Sequence, residues 1–470
     1  MLLKMRTKNL FILLAALLMV GIFLVESTEA FLSPEDEREL GEGFFISIRS
    51  HYEFADYPYL IQYINDLGTY LGRQIEVPYF PLKFYVIKED SINAFAAPAG
   101  HVFIFSGLII AMDTADELAS VVAHELGHVS ARHLASRIER SKKIGMATMA
   151  GVLAAILAGG KAAGALVTGS IAAGIQAELG YSREDERQAD QLGFKYTHGA
   201  GFDPGGMVTA LKKIQSERWY GSGEIPPYLL THPGAPERMA ATEALLQGYK
   251  KMPDTDEAKE LRSRFPMFQT MVIALCHDKE DATRQFKKRL LADPESGMAH
   301  YGLGLVLERE GFMNESLDHF KIALRKDPDS IPVMFSLGRA YQTNGQYDNS
   351  ISILNKALDL SPKDKEIMDL LALSLQNLER YSQAAKIYER LTFLPPVKDR
   401  VYYNLGLVYG RQGELGLAHY NLGIYFTKLR MREKALFHFN KAREFAGSKP
   451  ALRKKIDEAL ADLKRFGPPR

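Results

Sequence analysis

The sequence predicts a mainly α chain, α+β in class, with a helical lobe containing one small antiparallel sheet followed by a solenoid of paired helices. Three observations carry that expectation. A helical pattern over Asp113–Val122 runs into His124-Glu125-Leu126-Gly127-His128. Three short β-rich or apolar runs gather between 82 and 106. From about residue 265 a 34-residue period governs the chain. At 470 residues there is room for two or three domains, and 46% hydrophobic content supplies an ordinary globular core. A net charge of +1 leaves no basic surplus to neutralise phosphates, so nucleic acid is not an expected partner.

Taken in chain order, residues 1–30 read as a targeting segment. Lys4, Arg6 and Lys8 precede the uncharged apolar run Leu10–Val25, and Thr28-Glu29-Ala30 places small residues at −3 and −1 of a cleavage site. The run is short of the ~20 residues a membrane span needs. The expectation is an exported chain cut after Ala30, with an uncleaved N-terminal anchor as the alternative. Ser33-Pro34-Glu35-Asp36 then opens a helix, with an N-cap and proline at the first position. Leu82–Lys88, Asn93–Ala97 and His101–Ser106 are read as an antiparallel sheet, the last two joined through Pro98-Ala99-Gly100. Asn93, Ala94 and Phe95 are the candidate edge on which an extended peptide would add as a strand, or an interior strand whose side chains only pack.

Thr114-x-x-Glu117 is the capping box of the next helix, which carries His124 and His128. Two imidazoles four residues apart lie one above the other and reach one metal ion. Glu125, about 100° round the axis, sits beside that ion, placed to take a proton from a water. A catalytic zinc needs a third protein ligand and an open fourth position. The extended motif with a third histidine fails, because Ala131 and Leu134 stand where its glycine and histidine belong. The segment Tyr181–Asp190 offers a later glutamate instead: Glu186 and Asp190 share a helix face at i, i+4. There Glu186 could bind zinc while Asp190 accepts the free N–H of a zinc-bound histidine, or the run is simply a solvated charged face.

His124-Glu125-Leu126-Gly127-His128 with Ser182-Arg183-x-x-Glu186-x-x-Ala189-Asp190 resembles the signature of the M48 metallopeptidases, which include the CAAX prenyl proteases. The resemblance implies a zincin-type helical lobe, one Zn2+ per chain, ligands His124, His128 and Glu186, and Glu125 as general base then acid. Thr231-His232-Pro233, with Arg238 six residues after the histidine, matches a third block of that family. It implies that His232 and Arg238 face the active site as substrate or oxyanion donors, and that His232 can instead occupy the fourth zinc position and hold the enzyme shut. With its repeat tail the chain is similar to members that work in the periplasm. That implies a zinc metalloendopeptidase (EC 3.4.24) acting on unfolded or misassembled outer-membrane β-barrel precursors, in contact with their assembly machinery. The alternative from another class is a chaperone or scaffold whose peptidase site is mostly shut.

Between the two halves of the motif, residues 144–180 hold 8 Gly and 11 Ala among 37, with only Lys161 and Glu178 charged. Ile144–Gly160 and Ala162–Ala177 would form small-residue helices, either a hairpin contacting a membrane surface or gating the cleft, or a pair buried in the lobe or a subunit contact. The peptidase lobe is placed at 31–250, the link at Tyr249–Asp256 and the repeats at 257–465. Leu303-Gly304 recurs at Leu337-Gly338 and Leu405-Gly406; Gly311 recurs at Gly345 and Gly413; Pro294, Pro328, Pro362 and Pro396 stand 34 apart. That is the tetratricopeptide signature, and four to five helix pairs are expected, with concave curvature suited to polypeptide. Asn421-Leu422-Gly423 is read as a slip in phase that restarts the helix pattern before an atypical cap. Cys276, the only cysteine, excludes an internal disulfide and is expected as a buried helix residue.

Overall fold

The computed structural model describes residues 33–140, 181–220, 226–250, 254–447 and 449–465. The targeting segment and the Gly/Ala-rich stretch 144–180 lie outside the described residues. Contacts divide the chain into two compact units, Met1–Gln269 and Thr270–Arg470.

The first unit opens with α1 (Pro34–His51), where Ser33 is the expected N-cap and forms a capping box with Asp36. α2 (Pro58–Gly72) follows, then β1 (Lys83–Ile87), β2 (Ala94–Ala97) and β3 (His101–Phe105). The sheet is mixed rather than antiparallel, in the order β1-β3-β2. The turn at Ala99 and Gly100, both at positive φ, makes β2 and β3 an antiparallel hairpin. The connection after Ile87, however, carries the chain to the far side, so that β3 returns between the other two strands and runs parallel to β1. Residue runs alone show where strands lie; this crossover is set by how the hairpin docks. Phe44, Ile48, Phe95, Phe103 and Phe105 form the core between sheet and α1. Phe44 meets Phe95 edge-on with ring centroids 6.1 Å apart.

After α3 (Ser106–Ala111), α4 (Ala115–Ser130) runs through the middle of the unit. It is buried continuously from Glu117 to His128, the character of a core helix rather than an amphipathic surface one. Half of the expected capping box forms: Thr114 Oγ1 accepts from the Glu117 N–H at 3.2 Å. The Glu117 carboxylate turns instead to the Asp113 N–H at 2.7 Å and to Lys213 at 2.6 Å. α5 (His133–Arg140), α6 (Arg183–Gly199), α7 (Gly206–Tyr220), α8 (Pro227–Thr231) and α9 (Ala235–Gln247) complete the surround. α4 and α6 touch closely because two glycines face each other's backbone. A Cβ on Gly127 would stand 2.7 Å from the Ala189 carbonyl oxygen, and one on Gly193 would stand 3.0 Å from His124 Cα.

α10 (Asp256–Cys276) begins at the expected start of the repeats, and its residues 256–269 belong to the first unit. Arg262 pairs with Asp116 at 2.7 Å and Phe268 stacks on Tyr63 at 4.2 Å. Cys276, the last residue of α10, is half-buried rather than buried.

The second unit is a run of helices: α11 (Lys279–Ala292), α12 (Gly297–Glu310), α13 (Met313–Lys326), α14 (Ile331–Thr343), α15 (Tyr347–Leu360), α16 (Lys365–Asn377), α17 (Tyr381–Thr392), α18 (Asp399–Arg411), α19 (Leu415–Lys428), α20 (Arg432–Phe445) and α21 (Pro450–Arg465). Gly311, Gly345 and Gly413 take positive φ between the two helices of a pair, and so does Glu379, which holds the same 34-residue phase. Arg430, at φ 58° between α19 and α20, stands only 17 residues after Gly413, so the phase slips here as the sequence indicates. Asn421-Leu422-Gly423 lies inside α19, where Gly423 leaves room for the Phe439 ring: a Cβ there would come within 2.5 Å of it. Among the described residues no helix is long and apolar enough to cross a membrane.

Candidate metal centre

One turn of α4 separates His124 from His128, and their Nε2 atoms stand 3.0 Å apart. α6 delivers the next group: a capping box at Ser182 and Asp185 fixes its start, so Glu186 enters from the first turn. Glu186 Oε1 lies 3.3 Å from His128 Nε2, and Oε2 lies 3.5 Å from His124 Nε2. α8 ends at His232, whose Nδ1 is 3.0 Å from Glu186 Oε1 and 3.4 Å from His124 Nε2. His124, His128, Glu186 and His232 thus bring one ligand atom each within 4.8 Å of one another, and all four are buried.

Behind these groups stands a supporting layer. Asp190, one turn beyond Glu186, places Oδ1 2.9 Å from His124 Nδ1. That contact turns Nε2 towards the cluster. Arg238, on α9, donates from Nε and Nη2 to the two Asp190 oxygens at 2.8 and 2.7 Å, and its Nη1 lies 2.7 Å from Glu186 Oε2. Its guanidinium thus engages both carboxylates, while Nη1 makes no hydrogen bond among the described residues. His133 was missed in the sequence. Its Nδ1 is 3.0 Å from His128 Nδ1 and its Nε2 is 3.0 Å from Gln188 Oε1. With the His128 Nδ1–H donating, His133 must donate from Nε2 to Gln188, so one tautomer satisfies the chain. Its signal was a histidine five residues after the motif, outside any spacing rule.

The electrostatics follow from burial set against these partners. Burial pushes His124 down, as does Arg238, yet hydrogen bonds to Asp190 and Glu186 outweigh both and bring it up to about 9. Burial, only partly offset by Glu186, holds His128 well below the usual imidazole value. Burial would raise Asp190, but Arg238 and His124 draw it down to about 2. Glu186 is likewise held well below the carboxylate range, its burial overcome by His232 and Arg238. The cluster keeps its carboxylates ionised and favours positive charge at the His124 corner, the sign that a divalent cation supplies.

Glu125 is fully buried beside the cluster, and neither carboxylate oxygen has a hydrogen-bond partner among the described residues. Its Oε1 is 3.5 Å from His232 Nε2, which also lacks a hydrogen-bond partner. Uncompensated burial of a carboxylate is costly, so a group absent from the protein itself must complete this site. Two imidazoles and a carboxylate with separations of 3.0–3.5 Å match the edges of a tetrahedron with bonds of about 2.0–2.2 Å, the donor set of zinc. The residues fit the metal.

Asn93, Ala94 and Phe95 lie at and before an edge strand, since β2 pairs only with β3. All are buried, so the side chains pack inward and the strand could offer a ligand only its backbone edge. The Tyr228 N–H reaches the Ile92 carbonyl at 3.3 Å, joining the start of this strand to α8. A cavity of 460 Å3 adjoins the cluster between α6 and α9, walled by Glu186, Asp190 and Arg238, with Leu245 among its apolar lining.

The arrangement is that of a metallopeptidase with a His-Glu-x-x-His helix, and Glu186 stands where a third ligand could reach the same ion. Residues 59–246 match peptidase family M48, and residues 277–331, 331–364 and 370–423 match tetratricopeptide repeats, so the chain carries an M48 domain followed by such repeats. It is 36% identical over 212 residues to the beta-barrel assembly-enhancing protease of Escherichia coli (strain K12), covering 44% of this chain and 43% of that protein. A mitochondrial metalloendopeptidase of Arabidopsis thaliana is 33% identical over 153 residues, 33% of this chain and 29% of that protein. The matched stretch thus spans less than half the length of these relatives. Among solved structures, MamA aligns with 37% of this chain at 24% identity and a TM-score of 0.29, covering 92% of that chain, too distant to carry an argument.

Proposed function

We propose that the chain is a zinc endopeptidase of the periplasm that degrades or helps assemble misfolded outer-membrane or envelope proteins, with the repeats binding substrate or partner. The observation that carries this reading is the buried quartet His124, His128, Glu186 and His232 beside an unpaired Glu125. His124, His128 and Glu186 would hold the zinc. When bound, the metal polarises the scissile carbonyl and makes the attacking water acidic. Glu125 takes the water's proton and returns it to the leaving amine. Asp190 and Arg238 hold the ligands at their angles. An extended peptide laid along β2 would keep its backbone in line with the site. The assembly role rests on the named relative, and the periplasmic setting on the family resemblance and the export signal read from residues 1–30.

His232 closes the site at rest. Its Nδ1 fills the fourth corner while its Nε2 faces Glu125, so one ring covers both the position of the water and the base. A shut site also suits the alternative, a repeat-based chaperone or scaffold with little proteolysis. Casein cleavage by the zinc-loaded chain decides. Removing the ring in His232→Ala should raise cleavage, including self-cleavage, whereas an oxyanion-donor role predicts a fall of about 10²-fold. Glu125→Gln should keep its zinc, lose cleavage and retain bound substrates for identification. Equal casein turnover by the wild type and Glu125→Gln would overturn the peptidase reading.

A further inference from the structure

The His232 ring does not stand alone in its corner. Tyr228 stacks on it with centroids 4.4 Å apart and planes inclined by 26°. Tyr181 stacks on it at 5.2 Å and 29°. No ring contact joins the two tyrosines among the described residues, so they meet His232 from different sides. Both are buried, and neither hydroxyl has a hydrogen-bond partner. What they offer their neighbours is ring face, not a polar handle.

The chain places these rings with economy. Tyr228 and His232 stand at i, i+4 across α8, and the His232 N–H closes the turn on the Tyr228 carbonyl at 2.8 Å. Tyr181 immediately precedes Ser182, the cap of α6, and it also covers His128 at 3.8 Å. The segments that supply Glu186 and His232 thus each supply one stacking ring.

We propose that Tyr181 and Tyr228 form an aromatic clamp that holds His232 in the fourth ligand corner and thereby sets how often the site opens. The proposal rests on the reading of His232 as the resting fourth ligand. Tyr181 and Tyr228 are positioning residues: they act through His232. To leave the corner, the imidazole must slide out from between two rings as well as give up its ligand contact. Loss of one stacked partner should change the shut-to-open ratio by about tenfold. Because the Tyr228 N–H is tied to the Ile92 carbonyl, next to the β2 edge, a peptide strand added there would pull on the clamp directly.

The test uses the full chain loaded with cobalt(II) in place of zinc, read by visible absorption, alongside casein cleavage by the zinc form. His232→Ala sets the spectrum of an open site. Tyr228→Leu is expected to move the cobalt spectrum towards that of His232→Ala and to raise cleavage about tenfold. Tyr228→Phe, which keeps the ring, should match the wild type in both. In the His232→Ala background Tyr228→Leu should add nothing. If Tyr228→Leu does not retain one cobalt per chain, Tyr228→Met, which fills the space without a ring, carries the same expectations. A shifted spectrum for His232→Ala with a wild-type spectrum for the Tyr228 variant overturns the clamp alone. An unshifted spectrum for His232→Ala overturns the fourth-ligand reading and the clamp with it. A change in Tyr228→Phe equal to that in Tyr228→Leu assigns the effect to the hydroxyl and also overturns the clamp.

Discussion

Glu184, Asp185 and Glu186 are consecutive carboxylates on one helix turn, and only geometry tells them apart. Glu184 is exposed and pairs with Arg187; Asp185 caps the helix and meets Arg137; Glu186 alone points inward. Glu186→Gln should therefore lower zinc affinity by more than about 100-fold in chelator competition, beyond the loss expected for outer partners. Glu184→Gln should leave it unchanged. Equal losses would mean that the helix carries a different carboxylate to the metal. The motif histidines were legible in the sequence because ligand spacing on a helix is a local rule. This glutamate was instead singled out by the family resemblance, since spacing alone left the run equally a solvated charged face. His133, Gln188 and the stacking tyrosines were not legible, because their roles arise from rings meeting across three separate segments. A buried imidazole away from the site, His101 on β3, shows the reverse case. Burial, with Lys83 adding to it, lowers its pKa to about 4, so it stays neutral in the fold. A depressed histidine adds stability above its unfolded value near 6.5 and loses it as pH falls to about 4. Over that window the chain should lose up to about 3 kcal/mol that a His101→Phe variant, stacked on Tyr85 in the same slot, retains in urea unfolding.

At the scale of elements, the site is the seam between α4 and α6. The seam is tight because Gly127 and Gly193 admit the opposing backbone, at 2.7 Å from Ala189 O and 3.0 Å from His124 Cα for an added Cβ. Neither neighbour is a flexible side-chain tip, so alanine at either position must part the helices. Gly127→Ala or Gly193→Ala should weaken zinc binding at least about tenfold, by moving Glu186 relative to the two histidines, while circular dichroism stays that of a folded helical chain. Undiminished affinity in both variants would show that the seam tolerates spreading. Gly127 lies inside the motif and Gly193 three residues beyond Asp190, yet no spacing rule marks either as a contact, since the need appears only when the two helices cross. The sheet was partly legible for the same kind of reason: run composition located its strands, whereas the parallel pairing of β1 with β3 depends on a crossover no local run encodes.

Across the whole molecule, the repeats were legible because a period is a statement about many copies at once. The structure extends it: positive φ recurs at Gly311, Gly345, Glu379 and Gly413, and then after only 17 residues at Arg430, where the phase slips. Within the phase Glu379 is the exception in chemistry, not in shape. An exposed glutamate holds φ 56° where its counterparts are glycine. The left-handed conformation costs a residue with a Cβ about 1–2 kcal/mol, part of which glycine returns as extra freedom in the unfolded chain. Glu379→Gly should thus stabilise the second unit by about 0.5–1 kcal/mol. In a solenoid each pair leans on its neighbours, so the gain should appear in the cooperative unfolding of the repeats rather than locally. The proposed zinc would act elsewhere in the chain, on the first unit. Chelation should lower that unit's stability by about 4 kcal/mol for metal supplied at a thousandfold excess over its Kd. Calorimetry of wild type and Glu379→Gly, each with and without chelator, separates the two effects. The glutamate substitution should raise the repeat transition by the same increment in both conditions. A destabilised Glu379→Gly would mean that its side chain makes a contact worth more than the strain, and that the 34-residue turn geometry is maintained there by something other than backbone phase.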